Sequence, residues 1–569
     1  MPDLIIPILF LMDGLILIAL SVFAHEIGLD PTAGWGGSRF ALLLLGTGLA
    51  AVFPLWAIFK DKRAEAFVSF RSKRLKTWFL LGHLWGFIFL VYIWFITYSN
   101  FTTWDHTTHY YTQLADGFSK GQLYVDQKPD KALLDAPDPY DHTSRPPFSD
   151  EIWDLSLYNG KLYLYWGPLP ALLITPVQMA FEKKITDNYL VFFFFAGLLI
   201  VNSLIILKLK SSFFPKAPAW SMFVSIVLIG LILPVSWSLN VPNVYAAAIG
   251  AGQFFLMGGI YFLLLAIEPD SFPHKKSLFF AGVFWACAVG SRAIIVLSVI
   301  FLAAFMSVWI AKMMPRPIRW KQYVQAMSAL YFPLIFGAIL IGWYNWARFD
   351  SPSEFGLRYM ISIFNLNKDI SLTFRPDYFL LNLYIYIFQP FEFASGFPFI
   401  RPIMTLQLFE QQGIDLPYLY LSGRVTGFLF GMPFLILGLA NLFFKEERTQ
   451  QKTFLEDSSR RSFILTLLAG SLLINFLAIL FYFFGQIRFL VDIISQTTLL
   501  AIVGYWRILS FRQDTHSAWL KLLVLVANSL VILTLCTSLL LALTSETSRM
   551  ETLNPDLFDK IDGALSISR

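Results

Sequence analysis

The chain predicts an all-α polytopic membrane protein, with about thirteen transmembrane helices and two large external loops carrying short interfacial helices. Three observations predict it. Of its 569 residues, 56% are hydrophobic and only 14% charged, where soluble domains carry about 25% charge. The mean hydropathy is +0.61. Apolar runs of spanning length recur along the chain, separated by short polar intervals.

In order, these runs fall near 4–24, 39–60, 77–98, 188–207, 219–239, 243–267, 322–344, 424–445, 461–484, 490–509 and 517–543. The first lacks a basic leader and is long enough to span, so it reads as a helix rather than a cleaved signal. Its Asp13 is expected to pack inward. The interval from Ser277 to Ile310 is too long for one helix and is interrupted by Gly290-Ser291-Arg292. It reads as two helices meeting at that break, the first of them short. The stretch from Trp166 to Glu182 contains Pro168, Pro170 and Pro176. Each lacks a backbone N–H, which disfavours a continuous helix in lipid, so this stretch is expected to lie along the membrane surface.

Orientation follows from the bias of Lys and Arg in short loops. The interval from Lys60 to Lys76 holds seven basic residues against two acidic ones, and Lys312 to Lys321 holds four and no acid. These intervals and the basic one from Lys445 to Arg461 belong on the cytoplasmic side. Residues 100–165 hold ten acidic against five basic residues and belong outside. The expected organisation is an N-terminal helical pair with a cytoplasmic loop (1–76), then a transmembrane core (77–344) carrying the first external loop (99–187). A second external region (345–423) follows, and C-terminal transmembrane helices with a short external tail (424–569) complete the chain.

The net charge of +5 is small, and no basic cluster has the pattern of a nucleic-acid site. The two cysteines, Cys287 and Cys536, both lie in apolar runs, which gives neither a disulfide framework nor a CxxC metal site. No P-loop, dinucleotide-binding or HExxH motif occurs.

Five stretches carry a family resemblance. They are Trp104-Asp105 through Asp126, Asp154 to Pro168, Ala288 to Arg292, Asn345 to Gly356, and Arg488 to Asp492. With a long acidic first loop, a juxtamembrane element and a many-span bundle, this pattern resembles the C-type (GT-C) superfamily of integral-membrane, polyprenyl-phosphate-sugar-dependent glycosyltransferases. In that superfamily the loop follows the first helix. Here it follows the third apolar run, which makes residues 1–76 an addition. The resemblance implies sugar transfer to a lipid, glycan or protein acceptor of the cell envelope at the outer face of a bacterial inner membrane.

Such transfer needs a base for the acceptor hydroxyl and a cation or donor cluster for the departing phosphate. Asp105, placed where the superfamily has its functional carboxylate, is the candidate catalytic residue; the alternative is an N-cap for a helix starting near Thr107. Candidate substrate-binding residues are His106, His109, Asp154, Tyr158, Tyr165, Arg292, Arg358 and Arg488. An arginine at a break in an apolar segment is costly unless it pairs or faces a polar cavity, and a lipid phosphate suits its fork of donors. Arg488 and Asp492, four apart, also suit an intrahelical ion pair. Tyr158 and Tyr165 suit sugar stacking or an interfacial aromatic belt. No cofactor is specified; Asp105, His106 and His109 form an incomplete set of ligands for a divalent cation. Two other readings stay open: a transporter or flippase of a lipid-linked saccharide, and a non-catalytic membrane assembly protein.

Overall fold

Length and apolar character make most of the runs helical. The computed structural model describes residues 5–565, apart from 26–28, 31, 33, 59–72, 102–103, 106, 146–151, 269–272, 315–318, 444–451, 515–516 and 545–548. Among the described residues eight helices are long and apolar enough to cross a membrane. A ninth is added if Ala219–Leu231 and Leu233–Asn240, bent by 43°, count as one span. The chain is a multi-pass integral membrane protein.

Thirteen spans were expected, and the difference has local causes. The first two runs form the helices Ile5–Val22 and Gly37–Ile58, which are not among the eight counted over the described residues, and Lys275–Ser291 has only 17 residues. The run at 424–445 is not one helix. It divides into a strand at Arg424–Val425, a turn of helix at Phe428–Gly431, a 3-10 segment at Pro433–Leu439 and a last turn at Ala440–Phe443. Pro433 has no N–H to give a preceding turn, which disfavours a helix running through it.

The polypeptide forms two compact units: Met1–Asp105 with Arg549–Lys560, and His106–Ser548 with Ile561–Arg569. In the smaller, Arg39 caps the first helix. Its guanidinium donates to the carbonyls of Ser21, Val22 and Gly34, each at 3.0 Å, so a cation meets the negative end of the helix dipole. Asp13 does pack against another helix, where its carboxylate bonds the His83 ring.

The larger unit holds the remaining spans and both long polar regions. Lys275–Ser291 ends at the expected break. Arg292 is extended (φ −148°, ψ 106°), and the chain resumes through a 3-10 turn, Ala293–Ile295, into Val296–Met313. The proline-rich stretch after Trp166 forms a helix of 13 residues, Leu169–Phe181, about 20 Å long at the usual rise and too short to span.

The two polar regions are joined edge to edge. The backbone N–H of Asp154 donates to the carbonyl of Ile361 at 2.9 Å and that of Ile361 to Leu155 at 2.8 Å. Ser156 bridges to Met360, and Arg145 Nη2 reaches the Ser362 carbonyl at 2.6 Å. Further on, Leu421–Ser422 pairs in parallel with Phe484–Gly485, which brings the second region against the turn that carries Arg488.

Candidate functional site

A hairpin, Ser156–Tyr158 paired with Lys161–Tyr163, closes the first polar region. Its turn, Asn159-Gly160, has φ of 49° and 72°, the left-handed pair that a two-residue hairpin of this twist requires and that Asn and Gly tolerate best. Two residues before the hairpin, Asp154 also has a left-handed backbone, φ 63°. That conformation costs a non-glycine residue of order 1 kcal/mol or more unless its surroundings fix it. The bond from its N–H to Ile361 does so on one side.

On the other side its carboxylate accepts a hydrogen bond from the Tyr245 hydroxyl. Tyr245 stands in the first turn of Val244–Ala266. Across the Tyr245 ring lies Arg488, its guanidinium carbon 3.9 Å from the ring centroid, in the 3-10 turn Ile487–Leu490 that leads into Val491–Asp514. Asp154 and Arg488 thus both engage Tyr245. Burial pushes the Asp154 carboxyl up to about 6, against a smaller downward pull from Arg488. Asp154 therefore changes charge near neutral pH.

Two more tyrosines complete the wall. Tyr165 is held well above its ordinary range by burial first, then by Tyr482 and Asp154, with Arg488 and Arg292 pulling it back. Burial pushes Tyr482 up to about 12, with both arginines opposing. The Tyr165 and Trp166 rings lie 4.0 Å apart, and Trp166 meets the Tyr245 ring edge-on at 5.0 Å. The following residue, Gly167, runs along the helix break: a Cβ there would lie 2.0 Å from the Gly290 carbonyl oxygen, so only glycine permits this approach.

Arg292, at that break, is committed to Asp492. Its Nε lies 2.9 Å from both carboxylate oxygens and Nη2 2.6 Å from Oδ2. The Asp492 side chain is 1% exposed, and its backbone carbonyl accepts from Gln253 at 2.8 Å and Asn475 at 3.0 Å. The pairing of Asp492 with Arg488 considered from their spacing does not form. Arg488 lies in a 3-10 turn before the α-helix begins, so the i,i+4 neighbourhood of an α-helix does not apply.

Asp105 belongs to the smaller unit, where it is exposed and its backbone carbonyl accepts from Arg549 Nη2 at 3.4 Å. His106 lies outside the described residues. His109 flanks the helix Tyr110–Ser119 without a side-chain cap. The first N–H groups of that helix go to Asp187, 0% exposed, which accepts from Tyr110 N and Tyr111 N at 3.2 Å and from Thr108 Oγ1 at 2.5 Å. The capping role considered for Asp105 is thus taken by a residue far along the chain. Thr108 Oγ1 in turn accepts from Val244 N at 2.8 Å, tying this segment to the helix that carries Tyr245.

Tyr158 and Arg358 belong to a stack of their own. Tyr158 donates to Asp350 Oδ2 at 3.1 Å and its ring lies 4.7 Å from Tyr359, while Arg358 Nε sits 3.4 Å from Glu354. Among the described residues no three His, Cys, Asp or Glu side chains gather as metal ligands would. The structure therefore brings together Asp154, Tyr165, Arg292 and Arg488 from the sequence candidates. It adds Tyr245, Tyr482 and Asp492, whose neighbours are set by helix packing and leave no local signal. The turn signal at Asn159-Gly160 was legible and marks the strand that follows Asp154.

No protein-family model matches the chain, and no curated protein does. Among solved structures, the chain is similar to the oligosaccharyltransferase of Archaeoglobus fulgidus in its apo crystal form. The TM-score is 0.45 at 13% identity, over 83% of this chain and 57% of that one. The chain thus spans little more than half the length of that structure.

Proposed function

We propose that the protein is a membrane glycosyltransferase moving a sugar from a polyprenyl-phosphate donor to an acceptor at the outer face of the membrane. The observation that carries this reading is the placing of Arg488, Asp154 and three tyrosines around one point where membrane helices meet the polar loops. Residues 100–165, with ten acidic against five basic residues, carry Asp154, and that charge bias supports an external position for the point. A bacterial inner membrane, with this face toward the envelope, suits the reading.

The reaction asks for two services. The acceptor hydroxyl attacks the anomeric carbon and gives its proton to a carboxylate. The bond from that carbon to the phosphate oxygen breaks, and the electron pair leaves with the polyprenyl phosphate. Arg488 is the cation for that phosphate, since its guanidinium lies beside aromatic rings at the membrane end of the site and its fork matches phosphate oxygens. Arg292 contributes field from its place beside Asp492. Asp105 is the base or acceptor ligand, as the superfamily resemblance implies. Asp154, Tyr165, Tyr158, His106, His109 and Arg358 are substrate contacts.

The test is transfer from a synthetic polyprenyl-phosphate sugar by the purified full chain in lipid vesicles. Asp105→Asn and Arg488→Gln are each expected to lose at least a hundredfold in turnover while the protein stays folded and inserted. Turnover like that of the parent in Asp105→Asn removes its catalytic role, and in Arg488→Gln removes the phosphate assignment. Label crossing the bilayer without covalent transfer makes the protein a transporter.

A further inference from the structure

Two features of Asp154 go beyond substrate contact. Its carboxylate accepts from the Tyr245 hydroxyl, and the ring of the same tyrosine carries the Arg488 guanidinium, 3.9 Å from its centroid; burial raises the carboxyl to about 6. The groups that face it come from each neighbouring element: Tyr245 from the start of Val244–Ala266, Arg488 from the turn before Val491–Asp514, Tyr165 from the loop end, and Tyr482 from the segment before that turn. Burial holds Tyr165 and Tyr482 above their ordinary range, and Tyr245 donates its hydroxyl to the carboxylate. Arg488 is the cation whose field offsets part of the burial that favours the protonated acid.

We propose that Asp154 takes up a proton from solvent when a phosphodiester docks on Arg488, so that donor binding and the charge of the site are linked. This rests on the assignment of Arg488 to the donor phosphate. An anion on Arg488 cancels the field that favours the carboxylate and adds a negative charge nearby, and both changes favour the protonated acid. The balance is simple: one proton passes from water to a carboxylate oxygen, and no bond between heavy atoms changes. The site then keeps near-constant net charge as the donor enters. It also presents an O–H where the carboxylate offered only acceptors, a donor for the phosphate oxygen that carries the electron pair away. Tyr245, whose hydroxyl holds the carboxylate, is a positioning residue for this exchange.

Linkage fixes the sign of the pH dependence. The complex binds the proton more tightly than the free protein, so affinity rises as pH falls and weakens as pH rises above about 6, at most about tenfold per pH unit. The probe is a short-chain polyprenyl methyl phosphodiester, whose single charge is constant across this range. Titration calorimetry of the full chain in detergent, in two buffers of different ionisation enthalpy, reads the protons exchanged. The parent is expected to take up as much as one proton on binding between pH 6 and 8. Asp154→Asn is expected to take up none and to bind with an affinity independent of pH. Asp154→Ala serves if the Asn variant does not fold. Equal proton uptake by the parent and both Asp154 variants, with binding still dependent on Arg488, overturns this inference and leaves the phosphate assignment standing. Binding that is unchanged in Arg488→Gln overturns both.

Discussion

Two carboxylate–arginine pairs lie in this protein, and they are built in opposite ways. Asp492 and Arg292 are in direct contact through three short hydrogen bonds, in a setting where Asp492 is 1% exposed. Asp154 and Arg488 both engage Tyr245, one its hydroxyl and the other its ring. A buried pair in full contact is a clamp, because breaking it strands a charge away from water. In the second pair the carboxylate is bonded by a tyrosine hydroxyl and the guanidinium lies over the same tyrosine's ring. The first pair joins a helix break to a helix start; the second faces the loops that closed over it.

The sharpest way to break this contrast is to remove one member of the clamp. Arg292→Met or Asp492→Asn is expected to cost about 3–5 kcal/mol of stability, seen as a large drop in the unfolding midpoint in detergent. The double variant Arg292→Met, Asp492→Leu is expected to recover most of the loss. Single variants as stable as the parent would make the clamp a second site.

The next effect has the opposite sign. The folded-state value of about 6 for Asp154 lies above the ordinary 3.8, so between these values the folded protein holds the proton more tightly than the unfolded chain. Stability therefore falls as pH rises through that window, and the cost is fully present above it. Asp154→Asn is expected to relieve roughly 3 kcal/mol at pH 8 and little at pH 4. Unfolding midpoints measured across that range give the test, and a variant less stable than the parent at pH 8 would show a carboxylate held by partners rather than exposed to cost.

Asp187 sharpens the comparison as a third buried carboxylate, which accepts from Thr108 Oγ1 and from the backbone N–H groups of Tyr110 and Tyr111. Asp187→Asn is expected to lose about 1–2 kcal/mol, the difference between charged and neutral acceptors for those donors. Hydrogen exchange in the Tyr110–Ser119 helix is expected to quicken, since its first turn loses its anchor. The smallest effect on stability belongs to Arg488→Gln, about 1 kcal/mol or less, the scale of a cation–π contact, with at least a tenfold loss in phosphodiester affinity. A large fall in its unfolding midpoint would return Arg488 to the clamp class.

The chain itself determined its class, because a membrane leaves few ways to satisfy a backbone and long apolar runs choose the helix. It determined the break at Arg292, since Gly-Ser followed by a guanidinium in an apolar run cannot pass through lipid unremarked, and it determined that Leu169–Phe181 is short, through its prolines. What it left undetermined is who meets whom. Asp492 is four residues from Arg488 yet bonds Arg292, two hundred positions earlier, and Tyr245 looked like one aromatic among many. A membrane run of 424–445 became strand and 3-10 turns under the constraint of neighbouring elements. Helix periodicity and charge bias are local properties, written along the chain. The pairing of buried charges depends on which faces the packed helices turn toward one another, and only the tertiary structure decides that.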